Sequence, residues 1–239
     1  MAKSGSLNPD DRVIVFIDGW NLHRGCERAF GGHGPVHPVL LGRRLAGRRT
    51  LSAVRYYIGV PDSRVEKENA AFRTRQLEFM AKTGVQVFPK NLRYRHEWKF
   101  NKWNLPDPRR HEGKTRTTEV TSMRQGREKG VDVELALSAF HAAHDQSAEV
   151  IIIVSADSDL DLVPQQIEML RDRAHDSNHV RVENAVVNTS KDKHINQAFD
   201  WSHQIDEKVF AKIRDDLDYT KPITKAARKK FFAEHPPLR

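Results

Sequence analysis

Two short apolar runs in this chain end in acid. Residues 12–18 read RVIVFID and close on Asp18, and residues 149–157 read EVIIIVSAD and close on Asp157, with Asp159 and Asp161 following at alternate positions. Each run has the length and β-branched content of a buried strand. In an open parallel sheet, ligand sites lie outside the carboxyl ends of the strands, where the strand order reverses. If these two strands are neighbours, their terminal acids converge. Carboxylates held that close repel one another, so unless they share protons they need a cation. Oxygen ligands suit a hard ion, Mg²⁺ or Mn²⁺. Such ions activate water and stabilise charge on a phosphodiester.

Other acids carry two readings each. Asp132 opens a helical pattern in KGVDVELAL, where it is either a site residue or a charge that complements the helix dipole. Asp157 can also cap the helix that follows it. Asp18, in IDGWN, has no cap to make unless a helix begins at once. Asp161 reads as solvated or as a supporting residue. None of the twelve histidines falls in HExxH or another ligand spacing. His141 and His144 share a helix face, and His23 lies five residues beyond Asp18, within reach of the same cleft.

The elements that must position these acids follow from apolar period and breakers. Strands are predicted at 12–18, 52–60, 85–88, 149–155 and 180–187. Helices are predicted at 21–30, 39–47, 65–82, 131–144, 160–172 and 193–213. Pro164 falls in the first turn of its helix, where proline is tolerated. Strands alternating with helices predict a Rossmann-like α/β/α arrangement of three layers around a mostly parallel sheet. One domain over 11–213 is expected, followed by a basic, flexible tail over 214–239.

Composition narrows the partner. The chain has 239 residues and a net charge of +8, which favours an anionic partner such as nucleic acid. From 90 to 129 there are twelve Lys and Arg against five Asp and Glu, so most of the surplus sits in one stretch. That stretch has no apolar period and reads as an insertion, with room for a β-hairpin. It interleaves Arg93, Tyr94, Arg95, Trp98, Lys99, Lys102 and Trp103, cations for phosphates and rings for unpaired bases. The alternative is a solvated hairpin whose aromatics pack on the domain. No apolar run spans a membrane, no secretory leader is visible, and the single Cys26 excludes internal disulfides and cysteine-rich zinc sites. These features point to the cytoplasm. The charge pattern leaves room for a homodimer and for a protein partner at the basic tail.

IDGWN with Asp18 and Asn21, EKGVDVELAL with Asp132, and VSADSDLDLVP with Ser155, Asp157 and Asp159 together resemble the NYN domain of the PIN-like nuclease superfamily, most of all its LabA-like bacterial group. The likeness covers roughly residues 12–210, with the motifs in the same order. It implies a metal-dependent ribonuclease that leaves 5′-phosphate and 3′-hydroxyl ends. It further implies that Asp18, Asp132, Asp157 and Asp159 surround Mg or Mn, while Asn21 and Ser155 support them. Ala156 and Leu160 stand where a glycine and an aromatic are common, and the insertion lacks the cysteines of some relatives.

Rival readings separate on particular residues. A haloacid-dehalogenase-like phosphatase needs an acid two residues after Asp18, where Trp20 stands. A response-regulator receiver places its acids differently. A flap-endonuclease-like DNA nuclease would share the sheet and acids but carries more acidic residues and a helical arch. A non-catalytic RNA-binding or scaffold protein would be marked by a missing acid, and all four are present.

Overall fold

The computed structural model describes residues 8–31, 35–100, 120–174, 180–187 and 198–238, without the side chains of 96–100, 120–124 and 171–174. β1 (Arg12–Asp18) lies near the middle of a six-stranded sheet. Its neighbours are β2 (Thr50–Val60) and β6 (Val150–Val154). β3 (Gln86–Asn91), β7 (Arg181–Val187) and β8 (Trp201–Ile205) complete the order β3-β2-β1-β6-β7-β8. Every pairing in this sheet is parallel. The expected three-layer α/β/α architecture is what the chain adopts.

Alternation along β1 explains the layers. Val13, Val15 and Ile17 face one side, against α1 (Gly19–Phe30), α2 (Pro38–Ala46), α3 (Lys67–Lys82) and α6 (Glu207–Ile213). Ile14 and Phe16 face the other, against α4 (Val131–His144) and α5 (Leu162–Ala174). A strand covered on both faces must be apolar at every position, which is why β1 and β6 read as unbroken runs. All five side chains from Val13 to Ile17 are at most 3% exposed, and each contributes about 1.5–3 kcal/mol by burial.

Two expectations are corrected. The helix predicted over 193–213 is partly a strand: β8 adds an edge to the sheet before α6 begins. Its sequence, WSHQI, carries little apolar signal because an edge strand is only half covered. The segment expected as a flexible tail folds back on the domain. Tyr219 Oη donates to Asp215 Oδ2 at 2.6 Å, and Arg75 Nε donates to the Tyr219 carbonyl at 2.7 Å. α7 (Lys225–Glu234) then lays Phe231 against Phe79 and His37, with ring centroids 5.1 and 4.7 Å away. Leu238 N donates to the Thr83 carbonyl at 3.0 Å. Aromatics spaced among basic residues looked like a solvated tail because their receiving surface, on α2 and α3, is more than a hundred residues away in the chain.

The insertion is an antiparallel hairpin, β4 (Arg93–Phe100) with β5 (Val120–Arg127), separate from the main sheet. Among the described residues no helix is long and apolar enough to cross a membrane.

A charged knot closes the end of the sheet where the strands begin. Glu183 on β7 is fully buried and accepts from Arg49 Nη1 and Nη2 at 2.7 and 3.0 Å. His203 Nε2 lies 2.6 Å from its other face, and Arg181 Nε lies 3.0 Å away. Burial alone would raise the Glu183 pKa, but hydrogen bonds from His203 and Arg49 outweigh it and hold the carboxyl at about 2. The depressed value means this contribution to stability is present above the ordinary carboxylate range and is lost only as pH falls through about 2. Glu183→Gln would strand the Arg49 charge inside the protein. We expect it to cost about 3–5 kcal/mol in urea unfolding at neutral pH; an unchanged midpoint would show that the knot is not holding the two elements together.

Candidate active site at the β1–β6 junction

β1 and β6 pair in register from Val13–Val150 to Ile17–Val154. The chain winds outward from β1 through β2 and β3 on one side, and from β6 through β7 and β8 on the other. The junction is therefore the point where the strand order reverses, and the residues just beyond it are Asp18 and Ser155.

Asp18 ends β1 and caps α1, because the helix does begin at once: its Oδ1 accepts from Asn21 N at 2.9 Å. The turn is tight enough that a Cβ on Gly19 would lie 2.6 Å from Tyr56 Oη. The condition on which the sequence made the cap depend, a helix beginning at once, is thus met. Asp18 Oδ2 accepts from Ser155 Oγ at 3.2 Å, and that hydroxyl oxygen accepts from Asp157 N at 3.1 Å. Asn21 Oδ1 accepts from Ala156 N at 2.9 Å. Asp157 caps the 3-10 turn of residues Ser158–Asp161, its Oδ1 accepting from Asp159 N at 3.0 Å. Asn21 and Ser155 therefore stitch the end of β1 to the loop after β6. Asn184 Nδ2 adds a bond to the Ser155 carbonyl at 3.3 Å.

Asp132 enters from a third element. Gly130, at φ +80, turns the chain out of the hairpin, and Asp132 follows in the first turn of α4. The left-handed conformation favours glycine, which has no Cβ to strain it. Lys90 Nζ, 2.7 Å from Glu134 Oε2, ties β3 to the same turn.

The acids act on one another. Burial raises the Asp18 pKa to about 6, and Asp132 adds to the shift while bonds from Asn21 and Ser155 oppose it. Asp132 is raised by burial, then by Asp157 and Asp159. A residue the sequence reading passed over belongs to the same set. Glu128, at the foot of β5, is pushed up to about 7 by burial and then by Asp18, with Asp132 contributing further. Its Oε1 is buried without a hydrogen-bond partner. Its only sequence signal was a lone acid in a basic run, four residues before Asp132. Among the described residues, no three His, Cys, Asp or Glu side chains stand close enough together to enclose an ion. Holding one would take rotation of the outer carboxylates toward it.

Basic and aromatic groups border the acids. Trp20 stacks on His23 at 5.6 Å, and the Arg24 guanidinium sits 5.1 Å from the Trp20 ring centre. Arg24 is close enough to Glu128 to lower its pKa slightly, and His23 is lowered by desolvation and by Arg73. The expected nucleic-acid residues divide. Arg93 and Arg95 are exposed on β4. Tyr94 is turned to the domain: its Oη donates to Glu66 Oε1 at 2.8 Å and accepts from Asp62 N at 3.1 Å, which anchors the start of the hairpin. Trp98 and Lys99 belong to β4, their side chains outside the described set, and Lys102 and Trp103 lie outside the described residues. His144 pairs with Asp145 at 2.9 Å at the far end of α4.

Raised carboxyl pKa values have a definite sign. Between the ordinary aspartate range and about 6, native Asp18 keeps a proton that the unfolded chain has released, so stability falls as pH rises across that window. The penalty from Asp18 is roughly 3 kcal/mol above it. The metal-free protein should therefore melt at a higher temperature at pH 5 than at pH 8. Asp18→Asn should flatten that difference; parallel pH profiles for the two proteins would remove the buried Asp18 charge from the account.

Comparison with known proteins agrees with this geometry. A crystal structure of a protein of unknown function from Vibrio parahaemolyticus RIMD 2210633 superposes with a TM-score of 0.50 at 16% identity, over 84% of this chain and 96% of the other, a likeness of fold. No curated protein matches the sequence. The NYN domain model matches residues 12–198, which include all three acid motifs. The chain belongs to the NYN domain family, within the PIN-like superfamily.

Proposed function

We propose that this protein is a metal-dependent ribonuclease. The observation that carries the reading is the electrostatic coupling at the β1–β6 junction, where Asp132 adds to the raised pKa of Asp18, Asp18 and Asp132 add to that of Glu128, and Asp157 and Asp159 add to that of Asp132. Such a cluster is costly unless something positive is brought to it. NYN and PIN-like domains are generally nucleases that use divalent metals, which agrees with an all-oxygen donor set.

The buried, unpartnered Glu128 Oε1 fits a missing cation or proton donor. Asp18, Asp132, Asp157 and Asp159 would hold Mg or Mn, with Glu128 at the inner edge. A bound ion would supply charge stabilisation for the phosphodiester and a more acidic water. The chain's own residues do the rest. Ser155 and Asn21 fix the Asp18 carboxylate and the loop of Asp157, so the acids do not swing apart. Arg24 and Arg73 border the site with positive charge that suits a phosphate. The hairpin rises from Glu128 at its foot, which would place exposed Arg93 and Arg95 along the path of a bound strand.

Incubation of RNA with Mg²⁺ or Mn²⁺ tests the reading. We expect cleavage to fragments bearing 5′-phosphate ends, and a loss of at least about 100-fold in Asp157→Asn, as when a metal-catalysed step loses a ligand. Ser155→Ala should lose about 10–100-fold, the usual effect of removing a supporting bond. Equal behaviour of wild type and Asp157→Asn would sink the enzyme reading in favour of a non-catalytic RNA-binding protein. Preferential cutting of flapped DNA would favour a flap-type nuclease. For the hairpin, reversing charge at Arg93 and Arg95 together should weaken RNA binding and lower the salt dependence by up to about two phosphate contacts. An unchanged salt slope would remove the hairpin from the binding path.

A further inference from the structure

The end of the sheet opposite the acids holds a half-open cavity of about 410 Å³, its apolar walls edged by cationic side chains. It lies between the C-terminal end of α2, the first residues of β7 and β8, and α6. Arg44, Arg49, Arg181, Trp201 and His203 line it. Three arginines line it, and the one carboxylate they meet is Glu183 behind them, so the arginines keep a surplus of two positive charges. The carbonyls at the end of α2 would oppose an anion. Arg49 neutralises them, Nε donating to the Ala46 carbonyl at 3.1 Å and Nη2 to the Leu45 carbonyl at 3.0 Å. Next to this charge Trp201 leaves 44% of its surface exposed, at the first position of the edge strand.

A flat apolar ring beside a cationic surplus selects the ligand. A simple inorganic anion would leave Trp201 uncovered, and a neutral apolar molecule would leave the guanidinium charge unmatched. The volume sits at the small end of the range for ligand pockets, about 300–1,000 Å³, which suits one nucleotide and not an enclosed oligomer. We infer that this cavity binds a single nucleoside phosphate, with the base stacked on Trp201 and the phosphate directed to Arg44 and Arg181. That unit can come from a free mononucleotide or from one nucleotide of an RNA strand held by the same protein. The inference does not depend on the nuclease reading, since none of the acids of the β1–β6 junction lines this cavity.

Calorimetric titration of the full chain in a chelator, which keeps the acid centre idle, tests it with four probes: adenosine monophosphate, adenosine, inorganic phosphate and a short single-stranded RNA. Adenosine monophosphate should bind with a dissociation constant of about 1 mM or tighter, and at least about tenfold more tightly than adenosine or phosphate alone. Trp201→Ala should weaken it about tenfold, the loss expected for one stacked base, and Trp201→Phe should restore most of that affinity. Arg44→Gln should weaken it similarly, with no more than a small change in melting temperature. Displacement of the nucleotide by the RNA, sensitive to Trp201→Ala, supports the strand as its source, while binding of the mononucleotide without displacement supports the free molecule. No binding of adenosine monophosphate, equal binding of inorganic phosphate, or affinity indifferent to both Trp201 and Arg44 would overturn the assignment.

Discussion

Parallel pairing between β1 and β6, five residues deep from Val13–Val150 to Ile17–Val154, is the interaction on which the rest depends. It brings together two strands separated by 131 residues or more of chain, and it does so with side chains that have no exposed alternative. The same pairing forces Asp18 beside Ser155 and Asp157. Keeping Asp18 ionised there costs roughly 3 kcal/mol, chiefly as lost solvation with repulsion from Asp132 added. Burying one Val or Ile side chain contributes about 1.5–3 kcal/mol, so one or two core residues of β1 offset it. The core is what allows a set of like charges to persist at the strand ends.

Capping does not explain those charges away. Asp18 caps α1 and Asp157 caps the 3-10 turn. Asparagine or serine caps as well as aspartate, without adding charge to a crowded site. A neutral cap would therefore have been the more stable choice at neutral pH, where the native site holds Asp18 at about 6 and Glu128 at about 7. The structural role and the electrostatic one coexist in the same carboxyl groups, one oxygen of Asp18 serving the helix and the other the Ser155 hydroxyl.

The sheet is electrically polar along its strands. Acids gather where β1 and β6 end, and the Arg49–Glu183–His203 knot with Arg181 gathers where β7 and β8 begin. The hairpin adds cations next to the acidic end. On the proposed function a polyanion would meet positive charge around a negative centre, and a cation held at that centre would lower its repulsion of the strand.

The buried strands and the three-layer architecture were legible in the sequence, because a strand covered on both faces must be apolar throughout, and the acids that end two of them, Asp18 and Asp157, stand out against that background. Asn21 and Ser155 were legible only through the motifs around them. Three things were not. Glu128 joins the acids because the foot of β5 packs against Gly59 and faces Asp18 across the sheet, a contact no local pattern encodes. β8 and α7 escaped because an edge strand and a docked helix take their stability from partners distant in sequence rather than from their own period. Tyr94 likewise looked free until Glu66 and Asp62 were beside it. The sequence by itself determined the buried strands and set Asp18 and Asp157 at the ends of two of them, since an apolar run and the acid that closes it are local composition. Only the tertiary structure decided which charges meet, because proximity between strands is set by the order of the sheet and not by distance along the chain.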